Sequence, residues 1–269
     1  MPVYWFALSK VPQIQITDSI LVFLILHVLV YPASNGYNSY MDRDEGSIGG
    51  IKNPLQPTRQ LFITTLFMDF AAILLSLIIS VYFSLGIFFY IAASRAYSFR
   101  GLRLKKYPIL GYITVIVFQG AVTFALVYHG CSVNKSTGIP VIPMIASSLL
   151  IGGFYPLTQV YQHEADIKDG VKTISYLLGY RGTFIYCGII YFIAFLLLGK
   201  YFYSSQQQKQ FFIIATCMLP IIVYFTIWAS KVWKDVSNAN YENMMRINLI
   251  ASLCTNLGFI IVLIYNHIE

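Results

Sequence analysis

The stretches "FIAFLLLGKYF" at residues 192–202 and "NLGFIIVLIYN" at 256–266 are continuous apolar runs with no alternation of polar and apolar positions. A transmembrane β-barrel would show short segments of alternating polarity instead, so these runs decide for helices. Runs near the ~20 residues needed to cross a hydrocarbon core recur at about 18–37, 61–81, 83–99, 109–129, 140–162, 183–200, 211–230 and 246–266. The sequence predicts an all-α, polytopic membrane bundle of eight full transmembrane helices in a lipid bilayer. Composition agrees, since 57% of the 269 residues are hydrophobic, 11% are charged and the mean hydropathy is +0.66, far from a soluble domain.

The N-terminal "MPVYWFALSKVPQIQ" lacks the basic region and small-residue cleavage site of a signal peptide. Its apolar part is too short to span and reads as the second half of a helix, either a short re-entrant piece or the remnant of a gene starting further upstream. Cys131, Cys187, Cys217 and Cys254 have no C-x-x-C spacing and the four histidines form no ligand pair, so no zinc, haem or iron–sulfur site is expected.

The net charge of +7 has a topological cause and points to no nucleic-acid partner. If the spans alternate, 14 of the 18 basic residues fall on one face, which the positive-inside rule makes cytoplasmic. Eight of the eleven acids share that face, although acids contribute little to orientation. They need another reason.

Two acid clusters share one pattern. Asn38-x-x-x-Asp42-x-x-Glu45-Gly46 matches Gln162-x-x-x-Asp166-x-x-Asp169-Gly170: amide, acid at i+4, acid at i+7, then glycine. On a helix, steps of four and seven residues rotate by about 40° and −20°, so amide and acids form one stripe. Asp44 points roughly 120° away and reads as a flanking charge. Gly46 and Gly170 are candidate helix stops. A lone cluster at a helix end is usually a solvated loop, but two copies on one face, four spans apart, argue for a site. They also suggest two pseudo-repeated halves, about 1–129 and 130–269, within a single domain.

Asn38, Asp42, Glu45, Asp166 and Asp169 are therefore candidate ligands for Mg²⁺, which typically takes one or two carboxylates and leaves other positions to water and phosphate oxygens. Arg43, the run Arg100, Arg103, Lys105 and Lys106, and Lys172 are candidate partners for a diphosphate, with Gln162 beside them. Asp69 lies inside the second span, where a central acid costs roughly 2.5–3.5 kcal/mol and nearly always faces a cavity or a partner. It either lines an acceptor pocket or bonds a neighbouring helix. Gln119, Gln159 and Asn256 are further intramembrane polar residues with a structural reading as helix-to-helix glue, and the small residues at 92–94, 146–148 and 152–153 allow close packing. Tyr40, Tyr97 and Tyr161 lie near the motifs, either to stabilise a cation with their ring faces or as interfacial anchors.

These residues resemble the UbiA superfamily of intramembrane prenyltransferases. The family's first motif, N-x-x-x-D-x-x-x-D, is similar at Asn38 and Asp42; its last Asp falls on Gly46, with Glu45 as the nearest substitute. The second, D-x-x-x-D followed by G-x-K-[ST], is similar to "ADIKDGVKT", with Asp166, Asp169, Gly170, Lys172 and Thr173 and an acid spacing shorter by one. "AYSFRGLRLKKYPILGY" looks like the family's Y-S-x-P-P-x-x-L-K-x-x-P segment through Tyr97, Ser98, Leu104, Lys105 and Pro108. The resemblance implies a nine-helix bundle whose first helix is truncated here. It also implies two aspartate-rich motifs holding Mg²⁺ at the cytoplasmic mouth, and a polyprenyl diphosphate with its tail in an apolar tunnel. A small hydrophobic or aromatic acceptor would be prenylated, as in quinone or related lipid biosynthesis, in a bacterial inner membrane. Asp42, Asp166, Tyr97 and Lys105 would be catalytic, and Asp69 and Tyr161 would line the acceptor pocket. A secondary transporter is the alternative class, since repeated halves and intramembrane polar residues also suit alternating access; a relative with altered or lost activity is another.

Overall fold

The computed structural model describes residues 1–43 and 46–268, without the side chains of residues 267 and 268. It is helical, with two isolated backbone bridges as the extended pairing among the described residues. A seven-residue helix, α1 (Pro2–Leu8), is followed by α2 (Ile16–Asp42), α3 (Arg59–Ile79), α4 (Val81–Ser98), α5 (Pro108–Cys131) and α6 (Val141–Phe154). From α6 the chain runs through 3₁₀ turns (Tyr155–Gln162) into the short α7 (His163–Lys168), then α8 (Ile174–Ser204), α9 (Gln208–Lys234) and α10 (Tyr241–Ile268).

Seven of these helices are long and apolar enough to cross a membrane: α2, α3, α5, α6 with its 3₁₀ extension to Gln159, α8, α9 and α10. The eighth expected span is α4, an 18-residue helix whose last turns carry Arg95 and four Ser and Tyr residues. It is joined to α3 by one residue, Ser80, which is extended (φ −175°) and caps α4 by accepting from Phe83 N–H at 3.0 Å. Apolar side chains such as Phe67, Phe70, Phe192 and Leu253 face outward, the reverse of a water-soluble surface and the expected solution where lipid is the solvent. The chain is an integral membrane protein.

The buried N-terminal helix α1 packs on the end of α5 and on α10, closing the bundle through Phe6, which stacks on Phe259. Close approach of α5 and α6 is set by Gly120, where a Cβ would lie 2.4 Å from the Ser148 backbone. Ser148 Oγ in turn accepts from Ala121 N–H at 3.0 Å. Residues Ile116–Val122 of α5 and Ile25–Val30 of α2 are wound as π-helix. Such a bulge adds a residue per turn and re-aims the side chains around it. In α8, Gly179 breaks the helix with φ +68°, and Thr183 Oγ1 donates to its carbonyl at 2.8 Å.

Candidate active site

α2 ends at Asp42 because Arg43 turns left-handed (φ 54°, ψ 42°) while its N–H still bonds Ser39 O at 3.0 Å. The expected helix stop at Gly46 is thus corrected to Arg43. The helical phase that placed Glu45 on the stripe does not extend past Asp42, and Glu45 and Asp44 lie outside the described residues. Asn38 and Asp42 do share a helical face. In the second motif Gly170 is left-handed (φ +70°) and ends the segment as expected, with Asp169 capping α7.

The two motifs meet across a cavity of about 520 Å³ that Asn38, Asp42, Gln162, Asp166 and Asp169 all line, together with Tyr97, Lys105 and Tyr155. Residues from both predicted halves therefore share one wall. The loop after the first motif covers part of it through Ile48, Gly49 and Ile51, held as a tight turn by paired 3.0 Å bonds between Ile48 and Ile51.

Basic residues of the α4–α5 loop tie the motifs together. Lys105 Nζ lies 2.5 Å from Asp42 Oδ2. Arg103, itself left-handed (φ 49°), pairs with the Asp169 carboxylate, donates to Asp169 O at 3.1 Å and stands 3.7 Å from Asp42 Oδ1. Arg100 caps the end of α2, donating to Met41 O at 2.6 Å and Asp42 O at 3.3 Å, the polarity a helix C-terminus favours. Ser98 Oγ donates to Asn38 Oδ1 at 2.6 Å, and the Tyr97 and Tyr155 hydroxyls bond one another. Beneath the second motif, His163 Nε2 meets Ser175 Oγ at 2.8 Å and stacks on Tyr180. Burial holds its pKa down at about 4, so the ring is neutral at pH 7.

Other expected site residues sit elsewhere. Arg43 lies over the Tyr40 ring, 5.8 Å from its centre, and is not on the cavity wall. Lys172 is exposed between Val171 and Thr173, the two residues that do line it. Asp69 lines neither cavity described here: Arg95 pairs with it, bonding Thr65 O at 3.2 Å and stacking 3.9 Å over Tyr37. An intramembrane acid thus gains an intramembrane base, which desolvation demands. Tyr161 packs edge-on against Tyr241, and Asn256 bonds Ser252 O one turn back. Gln119 and Gln159, read as glue, line the cavity, as do Asn35 and Tyr155, which sequence reasoning missed. Asn35 had a signal, since it is three residues before Asn38 and seven before Asp42 on the same helical stripe.

Among the described residues no three His, Cys, Asp or Glu side chains converge into a metal cage. Mg²⁺ does not require one, because it binds through one or two carboxylates plus phosphate oxygens and water. Asp42 Oδ1, buried with no hydrogen-bond donor, and the amides and acids around it suit such an ion in kind. A second cavity of about 540 Å³ is almost wholly apolar, walled by Phe6, Leu150, Phe195, Met218, Phe225 and Phe259.

The fold is a bilayer-embedded helix bundle with a polar mouth, where acids from two distant segments meet through basic residues. The chain belongs to the UbiA prenyltransferase family, whose model matches residues 1–250. Among solved structures, a UbiA homologue from Archaeoglobus fulgidus bound to GPP and Mg²⁺ superposes with a TM-score of 0.69 at 18% identity, covering 97% of this chain and 94% of that one. The apo UbiA homologue from Aeropyrum pernix K1 gives 0.68 at 17% identity over 99% and 94%. A digeranylgeranylglyceryl phosphate synthase gives 0.64 at 20% identity over 98% and 92%. No curated protein sequence matches.

Proposed function

We propose that this protein transfers a prenyl group from an allylic prenyl diphosphate to a small hydrophobic acceptor within the membrane, in a Mg²⁺-dependent reaction with the mouth on the cytoplasmic side. The observation that carries this reading is the meeting of Asp42 and Asp166 with Asp169 on one cavity wall, with Arg103 bridging Asp42 and Asp169 and Lys105 paired to Asp42. Family membership and solved homologues holding DMAPP or GPP with Mg²⁺ support it.

Asn38, Asp42, Asp166 and Asp169 are the residues that would hold Mg²⁺, which when bound neutralises charge on diphosphate oxygens. In the reaction the allylic carbon–oxygen bond breaks and diphosphate leaves with the electron pair. A new bond then forms to the acceptor, which releases a proton. Lys105 on the cavity wall, with Arg103 beside the same carboxylates, supplies positive charge against the leaving oxygens. Tyr97 and Tyr155 line the same cavity and are the aromatic residues available to stabilise the carbon left positive, a contact worth about 2 kcal/mol or more when desolvated. An aromatic acceptor, and a place in quinone or related lipid biosynthesis, is the finer reading.

Membranes carrying the protein, supplied with labelled prenyl diphosphates, Mg²⁺ and a panel of acceptors, test the proposal. A labelled, prenylated acceptor with equimolar diphosphate is expected. Absence of both from every combination overturns the reading.

A further inference from the structure

The mouth cavity continues inward beyond the acids, and its inner wall is polar without being charged. Asn35 and Ser94 face it from α2 and α4, Thr114 and Gln119 from α5, and Gln159 from the end of α6. Gln119 lies eleven residues past Pro108, where α5 begins, about 16 Å along the helix and so near mid-bilayer.

One feature singles out Gln119 and Asn35 together, and a second Gln119 alone. Both are exposed residues on the cavity wall, and among the described residues neither amide hydrogen-bonds to another protein group. An amide costs roughly 2–7 kcal/mol to bury in an apolar medium without a partner, so at this depth a ligand or water must satisfy them. The second feature is the π-helical turn. Gly120 must face Ser148 for α5 and α6 to touch, and the extra residue of Ile116–Val122 lets the adjacent Gln119 face the cavity.

The charge census then discriminates between ligands. Lys105 is the one Lys or Arg among the cavity-lining residues, and it is at the mouth, paired with Asp42. The intramembrane cation Arg95 is consumed by Asp69. A carboxylate or phosphate in the inner cavity would be a desolvated charge with no counter-ion, the costly arrangement for a buried ion. A neutral molecule with hydroxyl or carbonyl groups meets amides that both donate and accept.

Resting on the proposed prenyl transfer, we infer that the inner cavity is the acceptor site, and that it selects an uncharged, hydrogen-bonding acceptor through Asn35 and Gln119 and rejects an anionic one.

Equilibrium binding of a matched pair, 4-hydroxybenzamide and 4-hydroxybenzoate, to the purified full chain in nanodiscs tests this without turnover. The amide is expected to bind at least tenfold tighter than the carboxylate at pH 7.5. Gln119→Leu should weaken the amide by tenfold or more. Gln119→Lys, which supplies the missing cation, should shift preference toward the carboxylate. Equal or tighter carboxylate binding to the unmodified protein, or no saturable amide binding, overturns the inference, and this outcome does not depend on either variant folding. Mg²⁺-dependent diphosphate release, measured on the same preparation, separates the two readings. Selective amide binding without release leaves the neutral-ligand site standing and removes prenyl transfer; release with carboxylate-selective binding does the reverse.

Discussion

Replacing Arg103 with Gln should move metal and diphosphate affinity in opposite directions. Arg103 and Lys105 now occupy the carboxylates that a divalent ion would need, with Arg103 standing 3.7 Å from Asp42 Oδ1 and paired with Asp169. Unit charges at this distance interact by about 4 kcal/mol at an effective dielectric near 20. Discounting that to a third for screening at the part-exposed Asp169 leaves about 1.4 kcal/mol, roughly tenfold in an equilibrium constant. Without Arg103, Asp169 is freed and Asp42 keeps Lys105 alone, so Mg²⁺ or Mn²⁺ alone should bind about tenfold tighter. Prenyl diphosphate loses a charge-assisted partner worth about 1.5–3 kcal/mol, so its apparent affinity should fall roughly 10- to 150-fold. Calorimetric titration of the metal, followed by prenyl diphosphate titration at saturating metal, reads both. Metal affinity that is unchanged or weaker in Arg103→Gln would refute the idea that these cations hold the metal's place.

Three structural predictions accompany it. Gly120→Val should lower the detergent unfolding temperature by the equivalent of about 1–3 kcal/mol through overpacking, because its Cβ would meet the Ser148 backbone at 2.4 Å, whereas Gly182→Ala, whose nearest contact would be 3.5 Å away, should be neutral by the same measurement. Asp69→Asn should cost about 3–5 kcal/mol by stranding Arg95, while the double variant Asp69→Leu with Arg95→Leu should recover most of the loss; thermal unfolding of the two compares them. His163 is held at a pKa of about 4 by burial, against about 6.5 unfolded, so it has no effect above about pH 6.5. As pH falls from there toward 4 the unfolded chain takes up the proton first, and about 3 kcal/mol of stability is lost. A flatter acid-side stability profile in His163→Gln would confirm this, and an unchanged one would contradict it.

The apolar runs made the helices legible, because in lipid the backbone must bond within each segment and length then dictates the spans. The amide–acid spacing likewise located Asn38, Asp42, Gln162, Asp166 and Asp169 on what proves to be one cavity wall. What failed to read through was conformation that periodicity does not encode. Arg43 turns left-handed with a side chain that gives no such warning, so the helix stops three residues before the glycine. Asp69 stays open between a pocket and a helix-to-helix bond in the sequence, since its partner Arg95 is 26 positions away on the next helix. Gln119 looked like packing glue because a regular 3.6-residue period places its side chain without the π-helical turn that contains it. Lys172 and Arg43 matched by chemistry and position in sequence, yet alternation around Lys172 puts its neighbours, and not itself, on the wall.

The most direct test of the paired-motif site is the Mg²⁺-dependent release of diphosphate from a labelled prenyl diphosphate by purified protein in nanodiscs, in the presence of an active acceptor. Unmodified protein should release it, and Asp42→Ala and Asp166→Ala should each abolish release while remaining inserted and folded. Turnover retained in either variant would contradict the account.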